Sequence, residues 1–356
     1  MNNVVRKAVI PIAGLGTRHF PASHATKKEL FPVVGPDGIA RALFHYHLIE
    51  LDAAGIEQIC IIVQPGEDEM VKHYLQGPDA GYLKRLEKYP ALLREAEQMR
   101  KFAGRVTFAV QREQEGYGHA VFQTKAFAAG EMVLLGLGDH LFRGKTPDAS
   151  HSSPTTKDTT SQDAGSVSPS PRLTGAEGSD GERAGVRCLV PPSGSRDQTT
   201  PPTAVSPYRE LADLAKVSAG QSVSAVNRIS AGELKGYGTI AGRRRLDNSR
   251  FIDVDLIIEK PAVAVAREQL RVDGLPPETW LGWFGMHLLA PSIYEILGEM
   301  LRDNVRDNGE FQLTRAQEIQ RQRHDYLALE MTDAQRFDFG VPDDFVRSVQ
   351  AFRNGP

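Results

Sequence analysis

The sequence predicts an α/β protein with a doubly wound, mixed but mainly parallel sheet and helices on both faces. Three observations lead to this class. Apolar, β-branched runs of strand length alternate with longer helical patterns along the chain. The run "KAVIPIA", residues 7–13, is apolar after its first residue, as in a strand that is covered on both faces. The chain has 356 residues, which is enough to bury a large core.

Predicted strands and helices alternate most clearly in the amino-terminal part of the chain. Apolar runs predict strands, and the stretches between them have helical spacing or end at a helix-stopping glycine. The predicted order is strand 7–13, helix 42–54, strand 57–63, a helical region 67–103, strand 105–110, a helix from about Gly118, and strand 132–138. This order of strands and helices is typical of a doubly wound sheet.

Residues 145–206 interrupt the alternation. Of these 62 positions, 34 are Ser, Thr, Pro or Gly, and none is Phe, Tyr or Trp. The first such residue after the segment is Tyr208. Such a composition buries too little apolar surface to offset the entropy of ordering. We therefore predict a disordered insertion that divides the chain into parts 1–144 and 207–356.

The part after the insertion has a mixed pattern. Its runs predict a helix at 207–216, strands at 222–230, 251–262 and 278–291, and helices at 292–301 and 314–322. Thr314 and Gln317 have the spacing of a capping box for the last of these helices.

Composition argues against several classes of partner. The chain has 42 Lys and Arg against 45 Asp and Glu, a net charge of -3, so we expect neither nucleic acid nor a membrane as a partner. Cys60 and Cys188 form no disulfide framework and no metal-ligand spacing, which favours a cytoplasmic location. The first residues have the pattern of neither a signal peptide nor a membrane span.

The loop "AGLGTR" follows the first predicted strand, at the edge of a parallel sheet where ligands bind. Gly14 and Gly16 allow backbone N–H groups to approach a phosphate, and Arg18 and Lys28 can neutralise it. A glycine pair alone is equally compatible with a simple tight turn. The loop contains neither GxGxxG nor GxxxxGK[ST], so it is no standard dinucleotide or Walker A motif.

Seven sequence blocks, in order, resemble the sugar-1-phosphate nucleotidylyltransferases, above all the bacterial UTP–glucose-1-phosphate uridylyltransferases. Together they cover most of the chain outside 145–206. The blocks are residues 7–33, 111–121, 136–140, 236–240, 257–262, 309–319 and 337–345.

This resemblance implies one domain with a Rossmann-like nucleotidyltransferase fold of the glycosyltransferase-A type. Residues 1–144 would form its nucleotide-binding part, and residues 207–356 its sugar-phosphate-binding part with the C-terminal helices. The implied reaction joins UTP and glucose 1-phosphate into UDP-glucose and pyrophosphate with Mg²⁺, in one in-line displacement. The family also implies a homo-oligomer.

The resemblance further assigns roles to individual residues. Arg18, Lys28 and Asp139 would be catalytic, and Asp139 and Asp338 would hold Mg²⁺ through carboxylate oxygens. Gly238, Glu259, Lys260 and Gly285 would bind the sugar phosphate. Ala13, Gly14, Gly16, Thr17, Gln111 and Gly118 would bind the nucleotide.

Alternatives to this function remain open. A related enzyme using dTTP, CTP or another sugar phosphate would differ at only a few contacts. From a different class, a catalytically silent nucleotide-sugar-binding regulatory protein is possible, although binding alone needs no metal carboxylates. Lys27 stands where the family commonly has Pro, and we expect this extra charge to alter triphosphate affinity.

Overall fold

The computed structural model describes residues 4–144, 206–216 and 218–354. The described residues on both sides of the gap belong to one compact unit. The predicted insertion lies outside the described residues except for Ser206, which directly precedes a helix. The division of the chain at 145–206 therefore stays a prediction.

Thirteen strands occur in these described ranges. Their bounds are β1 Lys7–Pro11, β2 Pro32–Val34, β3 Ala40–Ala42, β4 Gln58–Val63, β5 Val106–Val110, β6 Val133–Gly136, β7 His140–Gly144, β8 Val223–Ser230, β9 Thr239–Arg244, β10 Phe251–Ile258, β11 Thr279–Leu289, β12 Leu327–Glu330 and β13 Ala334–Asp338.

Twelve α-helices accompany them in the same part of the chain. Their bounds are α1 Ala22–Ala25, α2 Leu43–Ala53, α3 Asp68–Gln76, α4 Ala80–Leu86, α5 Pro90–Ala103, α6 Tyr117–Phe122, α7 Lys125–Ala128, α8 Pro207–Asp213, α9 Val263–Gln269, α10 Ser292–Arg302, α11 Leu313–Arg323 and α12 Pro342–Asn354. Short 3-10 turns lie at Thr17–His19, Lys28–Leu30, Leu214–Lys216 and Leu234–Gly236.

Nine strands form one sheet in the order β5-β4-β1-β6-β11-β8-β12-β10-β9. The pairs β5–β4, β4–β1, β1–β6 and β8–β12 are parallel, and the other neighbouring pairs are antiparallel. These pairings give seven strands one direction, while β10 and β11 run the opposite way. The predicted mixed, mainly parallel sheet is thus confirmed.

Helices cover both faces of the sheet, as predicted. Ala8 and Ile10 of β1 pack with apolar residues of α2, α3, α5 and α8. Val9, between them, packs on the other face with residues of α6, α10 and α11. This alternation follows from the two-residue period of a strand. Because helices cover both faces of the sheet at β1, the residues on both faces of this strand are apolar.

Strand order changes direction at β1. From β1 the chain continues to β4 and β5 on one side, and then returns to β6 on the other side. In such a sheet the loops beyond the carboxyl ends of the two central strands diverge and leave a crevice. The glycine loop after β1 and the turn after β6 lie at this point.

The structure adds detail to one local interpretation of the sequence and contradicts another. The helical region 67–103 consists of three helices, because Gly77 adopts a left-handed φ of 72° and Pro90 starts a new helix. The capping box is absent: α11 begins at Leu313, and Gln312 is its N-cap residue with no side-chain cap. In the described residues, no helix has the length and apolar character needed to cross a membrane.

A close backbone contact fixes the distance between β1 and the turn after β6, and it can be tested with Gly138→Ala. A Cβ atom at Gly138 would lie 2.4 Å from the Pro11 carbonyl oxygen. Because backbone cannot move aside, we expect the substitution to cost about 1–3 kcal/mol of unfolding free energy in urea. Gly104→Ala is the matched control, since its nearest atom is 3.8 Å away. Equal stability of the two variants would contradict the contact.

Candidate active site

A cavity of about 490 Å³ lies beyond the carboxyl ends of β1 and β6, at the switch in strand order. It is the place where an open α/β sheet binds its ligand. Eight of the residues predicted for the site line this cavity: Ala13, Gly14, Gly16, Thr17, Arg18, Lys28, Gln111 and Asp139. The structure therefore brings together the glycine loop with two cations, the Gln111 amide and the Asp139 carboxylate, from three separate sequence blocks.

The glycine loop has the open backbone that a phosphate requires. Gly16 has a left-handed φ of 64° at the start of a 3-10 turn, a conformation that L side chains rarely adopt. No atom lies within 4 Å of the Cβ position of Gly14. The loop amides can therefore be approached closely by a ligand in the cavity.

Two side chains hold this loop by its carbonyl groups. Lys27 donates from Nζ to the Gly14 carbonyl at 3.0 Å and to both carboxylate oxygens of Glu67 at 2.7 and 2.8 Å. Gln64 donates from Nε2 to the Ala13 carbonyl at 2.9 Å. Glu67 neutralises the Lys27 charge, so Lys27 orients the loop and does not supply the extra free cation that the sequence suggested.

A chain of alternating charges crosses the cavity wall. Lys28 Nζ lies 2.6 Å from Asp139 Oδ2, and Asp139 Oδ1 lies 2.8 Å from His140 Nδ1. His140 Nε2 in turn lies 3.4 Å from Asp338 Oδ2. The antiparallel pairing of β7 with β13 places His140 directly opposite Asp338. The sequence predicted Asp139 and Asp338 at one site but missed His140 between them.

These contacts determine the charge states of the group. Burial favours the neutral acid at Asp139, but the His140 and Lys28 cations hold the pKa of Asp139 well below its usual range. Burial opposes the His140 cation, but Asp139 and Asp338 raise the pKa of His140 to about 9. At neutral pH the site thus holds two carboxylates, an imidazolium and an ammonium group.

The two carboxylates also fit a divalent cation. A Cβ atom at Gly340 would lie 3.0 Å from Asp338 Oδ1 and 3.4 Å from Asp139 Oδ2. One oxygen of each carboxylate therefore lies close to the same point at the edge of the cavity. Mg²⁺ commonly takes one or two carboxylates and completes its shell with water and substrate phosphates. The described residues contain no cluster of three or more His, Cys, Asp or Glu that could hold a metal ion.

Gln111 and Gly118 occupy different positions relative to the cavity. Gln111 lines it and donates from Nε2 to the Gly116 carbonyl at 3.2 Å. Gly118 lies behind the lining: its N–H donates to the Phe311 carbonyl at 2.7 Å, and a Cβ atom would also lie 2.7 Å from that oxygen. Gly118 thus allows α6 to pack against the segment before α11, while Gly116 borders the cavity.

The residues predicted for the sugar phosphate form a neighbouring group. The Cβ position of Gly238 is 2.9 Å from Glu259 Oε2, and Lys260 Nζ is 3.5 Å from Glu259 Oε1. Thr314 donates its hydroxyl to Glu259 Oε2 at 2.7 Å, which is the contact it makes instead of a helix cap. Glu259 borders a second cavity of about 490 Å³, separate from the first.

Gly285 and β13 connect this group with the first cavity. A Cβ atom at Gly285 would lie 3.1 Å from Leu137, which lines the first cavity. Arg336 of β13 lies over the Tyr237 ring at 4.1 Å, and the Tyr237 carbonyl accepts the Lys260 N–H at 3.3 Å. The strand that ends at Asp338 therefore contacts Tyr237, which in turn holds the backbone of Lys260.

Sequence reasoning missed several residues of the cavity. Glu29 is 2% exposed, and its Oε2 has no hydrogen-bond partner among the described residues. Tyr117 lines the cavity, and its hydroxyl is likewise buried without a partner there. Both residues directly adjoin positions that the sequence did select, so proximity in the chain was the available signal.

Glu29 predicts a pH dependence of stability. Burial raises its pKa to about 7 from an ordinary value of 4.5, despite the nearby Lys28 charge. Between these two pH values the folded state binds more protons than the unfolded state, so stability falls as the pH rises from about 4.5 to 7. Glu29→Gln stays neutral and removes this loss. From pH 5 to pH 8, we expect the wild type to lose up to about 3 kcal/mol more unfolding free energy than the variant. Parallel pH profiles would contradict this prediction.

The Lys27–Glu67 pair predicts a coupling energy. Lys27→Met leaves a largely buried carboxylate without its partner, and we expect it to cost about 3 kcal/mol of unfolding free energy. In the double variant Lys27→Met, Glu67→Gln no charge remains unpaired, so its loss should be smaller than the sum of the single losses by at least about 1 kcal/mol. Denaturant unfolding of all four proteins measures this. Additive losses would mean that the pair does not act as a unit.

Comparison with known proteins agrees with this fold and sequence pattern. Residues 7–160 match the family described as "Nucleotidyl transferase". The UTP–glucose-1-phosphate uridylyltransferase YngB of Bacillus subtilis is 34% identical over 147 residues, which are 41% of this chain and 48% of YngB. In that alignment the chain spans about half the length of its relative. UTP–glucose-1-phosphate uridylyltransferase 1 of Staphylococcus saprophyticus is 23% identical over 348 residues, 98% of this chain and 92% of the relative.

Solved structures show the same fold over nearly the whole chain. A UDP-glucose pyrophosphorylase complexed with UDP-glucose has a TM-score of 0.64 at 20% identity and covers 98% of both chains. A UTP-bound UGPase from Acinetobacter baumannii has a TM-score of 0.64 at 22% identity and covers 97% of this chain and 92% of its own. The resemblance seen in the sequence blocks is therefore confirmed: residues 7–160 match the nucleotidyl transferase family, and the chain has the fold of UDP-glucose pyrophosphorylases.

Proposed function

We propose that this protein transfers the uridylyl group of UTP to glucose 1-phosphate, giving UDP-glucose and pyrophosphate, with Mg²⁺. The observation that carries the proposal is the convergence of the glycine loop, Arg18, Lys28 and Asp139 on one cavity at the switch in strand order. A site for this reaction has to hold two anions together and stabilise a leaving pyrophosphate.

The bond changes are those of one displacement. A phosphate oxygen of glucose 1-phosphate forms a bond to the α-phosphorus of UTP, and the bond from that phosphorus to the oxygen bridging the α- and β-phosphates breaks. The electron pair leaves with pyrophosphate, so no covalent enzyme intermediate is needed. Catalysis in such transfers comes from positioning and from charge stabilisation.

On the nucleotide side, we assign the triphosphate to the amides of the loop from Ala13 to Thr17 and to Arg18. Lys28 lines the same cavity as the glycine loop, and its ammonium group lies 2.6 Å from Asp139 Oδ2. It would therefore lie between the phosphates of the two substrates. Gln111 offers an amide that can donate and accept, as the edge of uracil requires. It would read the base beside Gly116.

On the acceptor side, we assign the sugar hydroxyls to Glu259 and the sugar phosphate to Lys260. Gly238 and Gly285 would leave room for the sugar against the backbone. Asp139 and Asp338 are the residues that would hold Mg²⁺. When bound, the cation neutralises phosphate charge and orients the phosphates for in-line attack.

The proposed cellular location rests on the sparse cysteines, and the proposed assembly rests on the resemblance alone. We propose a homo-oligomer in the cytoplasm, with the two substrates as its small-molecule partners. Light scattering of the purified full chain tests the assembly directly.

Pyrophosphate release is the measurement that tests the reaction. With Mg²⁺ and glucose 1-phosphate, we expect release from UTP and much less from dTTP, CTP, ATP or GTP. Lys28→Ala should lower turnover about 100-fold or more, because it removes a cation beside the reacting phosphates. Lys84→Ala, an exposed residue of α4, is the matched control and should retain full turnover. Chelation of Mg²⁺ should abolish release.

The other outcomes distinguish the alternatives. Release from dTTP or CTP in place of UTP keeps the mechanism and changes the substrate. UTP or UDP-glucose binding without release from any nucleotide favours a regulatory binding protein. Full activity of Lys28→Ala would contradict the assigned site.

A further inference from the structure

We propose that His140 is a positioning residue that fixes the orientation of Asp139 and Asp338, so that one oxygen of each carboxylate faces a shared divalent cation. This inference rests on the proposed function, because it concerns the site assigned to Mg²⁺ there. It goes beyond that function by giving a role to the last residue of block 136–140, to which neither the resemblance nor the proposed mechanism assigned one.

The four carboxylate oxygens of Asp139 and Asp338 form two sets, according to whether they contact His140. His140 Nδ1 lies 2.8 Å from Asp139 Oδ1, and His140 Nε2 lies 3.4 Å from Asp338 Oδ2. The other two oxygens, Asp139 Oδ2 and Asp338 Oδ1, lie 3.4 and 3.0 Å from the Cβ position of Gly340. Each has a donor on that side: Lys28 Nζ lies 2.6 Å from Asp139 Oδ2, and the Gly340 N–H donates to Asp338 Oδ1 at 2.7 Å. His140 therefore contacts one oxygen of each carboxylate, and the second oxygens lie on the side of the cavity, where a cation would take the place of the Lys28 contact.

The fold restrains the imidazole ring itself. His140 is 7% exposed, and its ring stacks on Phe142 with an interplanar angle of 13°. Phe142 lies two residues further along β7, on the same face of the strand. The ring hydrogen-bonds to Asp139 through Nδ1, while Nε2 makes a longer ion-pair contact of 3.4 Å with Asp338 and no hydrogen bond among the described residues. Rotation of the ring would lose the packing and both contacts together.

The backbone restrains both carboxylates as well. Asp139 directly precedes β7, and Asp338 pairs with His140 across the β7–β13 ladder. Ser348 of α12 donates to the Asp338 carbonyl at 2.6 Å, and the Gly340 N–H donates to Asp338 Oδ1 at 2.7 Å. Lys28 Nζ holds Asp139 Oδ2 at 2.6 Å, and His140 is the residue that contacts both carboxylates and so couples their side-chain rotations.

Contacts of this kind usually matter for metal affinity. Groups that hydrogen-bond to metal-binding carboxylates from outside fix their orientation, and their loss typically weakens metal binding about 10–100-fold. In a contrasting role, His140 would be a counter-charge that competes with the divalent cation for the two carboxylates. Removing the ring nitrogens would then strengthen metal binding, whereas it would weaken metal binding if His140 positions the carboxylates. One measurement of metal affinity therefore separates the two roles.

The experiment is a titration of the full chain with Mn²⁺ alone, followed by electron paramagnetic resonance of the free ion. We expect His140→Phe, which retains a ring against Phe142, to weaken Mn²⁺ binding about 10–100-fold. His140→Gln retains one donor and should recover part of the affinity. His324→Phe, a substitution at an exposed histidine, is the matched control and should bind Mn²⁺ as the wild type does.

A second readout separates positioning from a general loss of structure. Binding of UTP in the absence of metal depends on the glycine loop and should stay within about twofold of wild type in His140→Phe, whose circular dichroism spectrum should also be unchanged. If His140→Phe does not fold, the comparison of His140→Gln with wild type decides, with a weaker Mn²⁺ affinity expected.

The outcomes distinguish this inference from the function on which it rests. Unchanged or tighter Mn²⁺ binding by a folded His140 variant would overturn the positioning role while leaving the metal assignment intact. Absence of Mn²⁺ binding by the wild type would overturn the metal assignment itself, and the positioning role with it. Weaker binding in His140→Phe with partial recovery in His140→Gln supports the proposal.

Discussion

The pairing of β7 with β13 is the constraint on which the candidate site depends. It joins Asp139 and His140, at the end of the amino-terminal part, to Asp338, about 200 positions later in the chain. Packing around the pair is extensive, since Arg143 stacks on Phe352 with its guanidinium 4.3 Å from the ring centre. Without this two-stranded ladder, the cavity would retain its glycine loop and cations but only one of the two carboxylates.

The electrostatics follow from that arrangement. Lys28, Asp139, His140 and Asp338 alternate in sign, so each of these partly or fully buried charges has an opposite neighbour that offsets its desolvation. Glu29 is the contrast: it is buried beside the same lysine, yet its closest approach to Lys28 Nζ is 3.8 Å. Burial therefore dominates at Glu29, and its pKa moves in the opposite direction from that of Asp139.

The strands β1, β4 and β6 could be predicted because they are covered on both faces. They appear in the sequence as apolar runs of strand length, and helical spacing marks the stretches between them. The position of Asp139 after an apolar strand was enough to place it at the ligand edge. The glycine loop and Lys28 were predicted for the same reason, and the structure brings them to one cavity.

Contacts between distant segments could not be predicted in this way. β7 contains an arginine and is short, so its pairing with β13 leaves no periodic signal. The Lys27–Glu67 pair joins two residues that look like solvated charges when read separately. Thr314 was misread as part of a helix cap, because the sequence does not reveal that Glu259 lies within reach of its hydroxyl.

The contact between Gly138 and Pro11 has a wider consequence for how this site can diverge. Because a Cβ atom at Gly138 would lie 2.4 Å from the Pro11 carbonyl oxygen, the turn that carries Asp139 packs directly against the backbone at the end of β1. Substitutions elsewhere in the cavity change the side chains that point into it and leave this backbone contact in place. The ligand preference of the cavity can therefore diverge while the Asp139 turn keeps its position against β1.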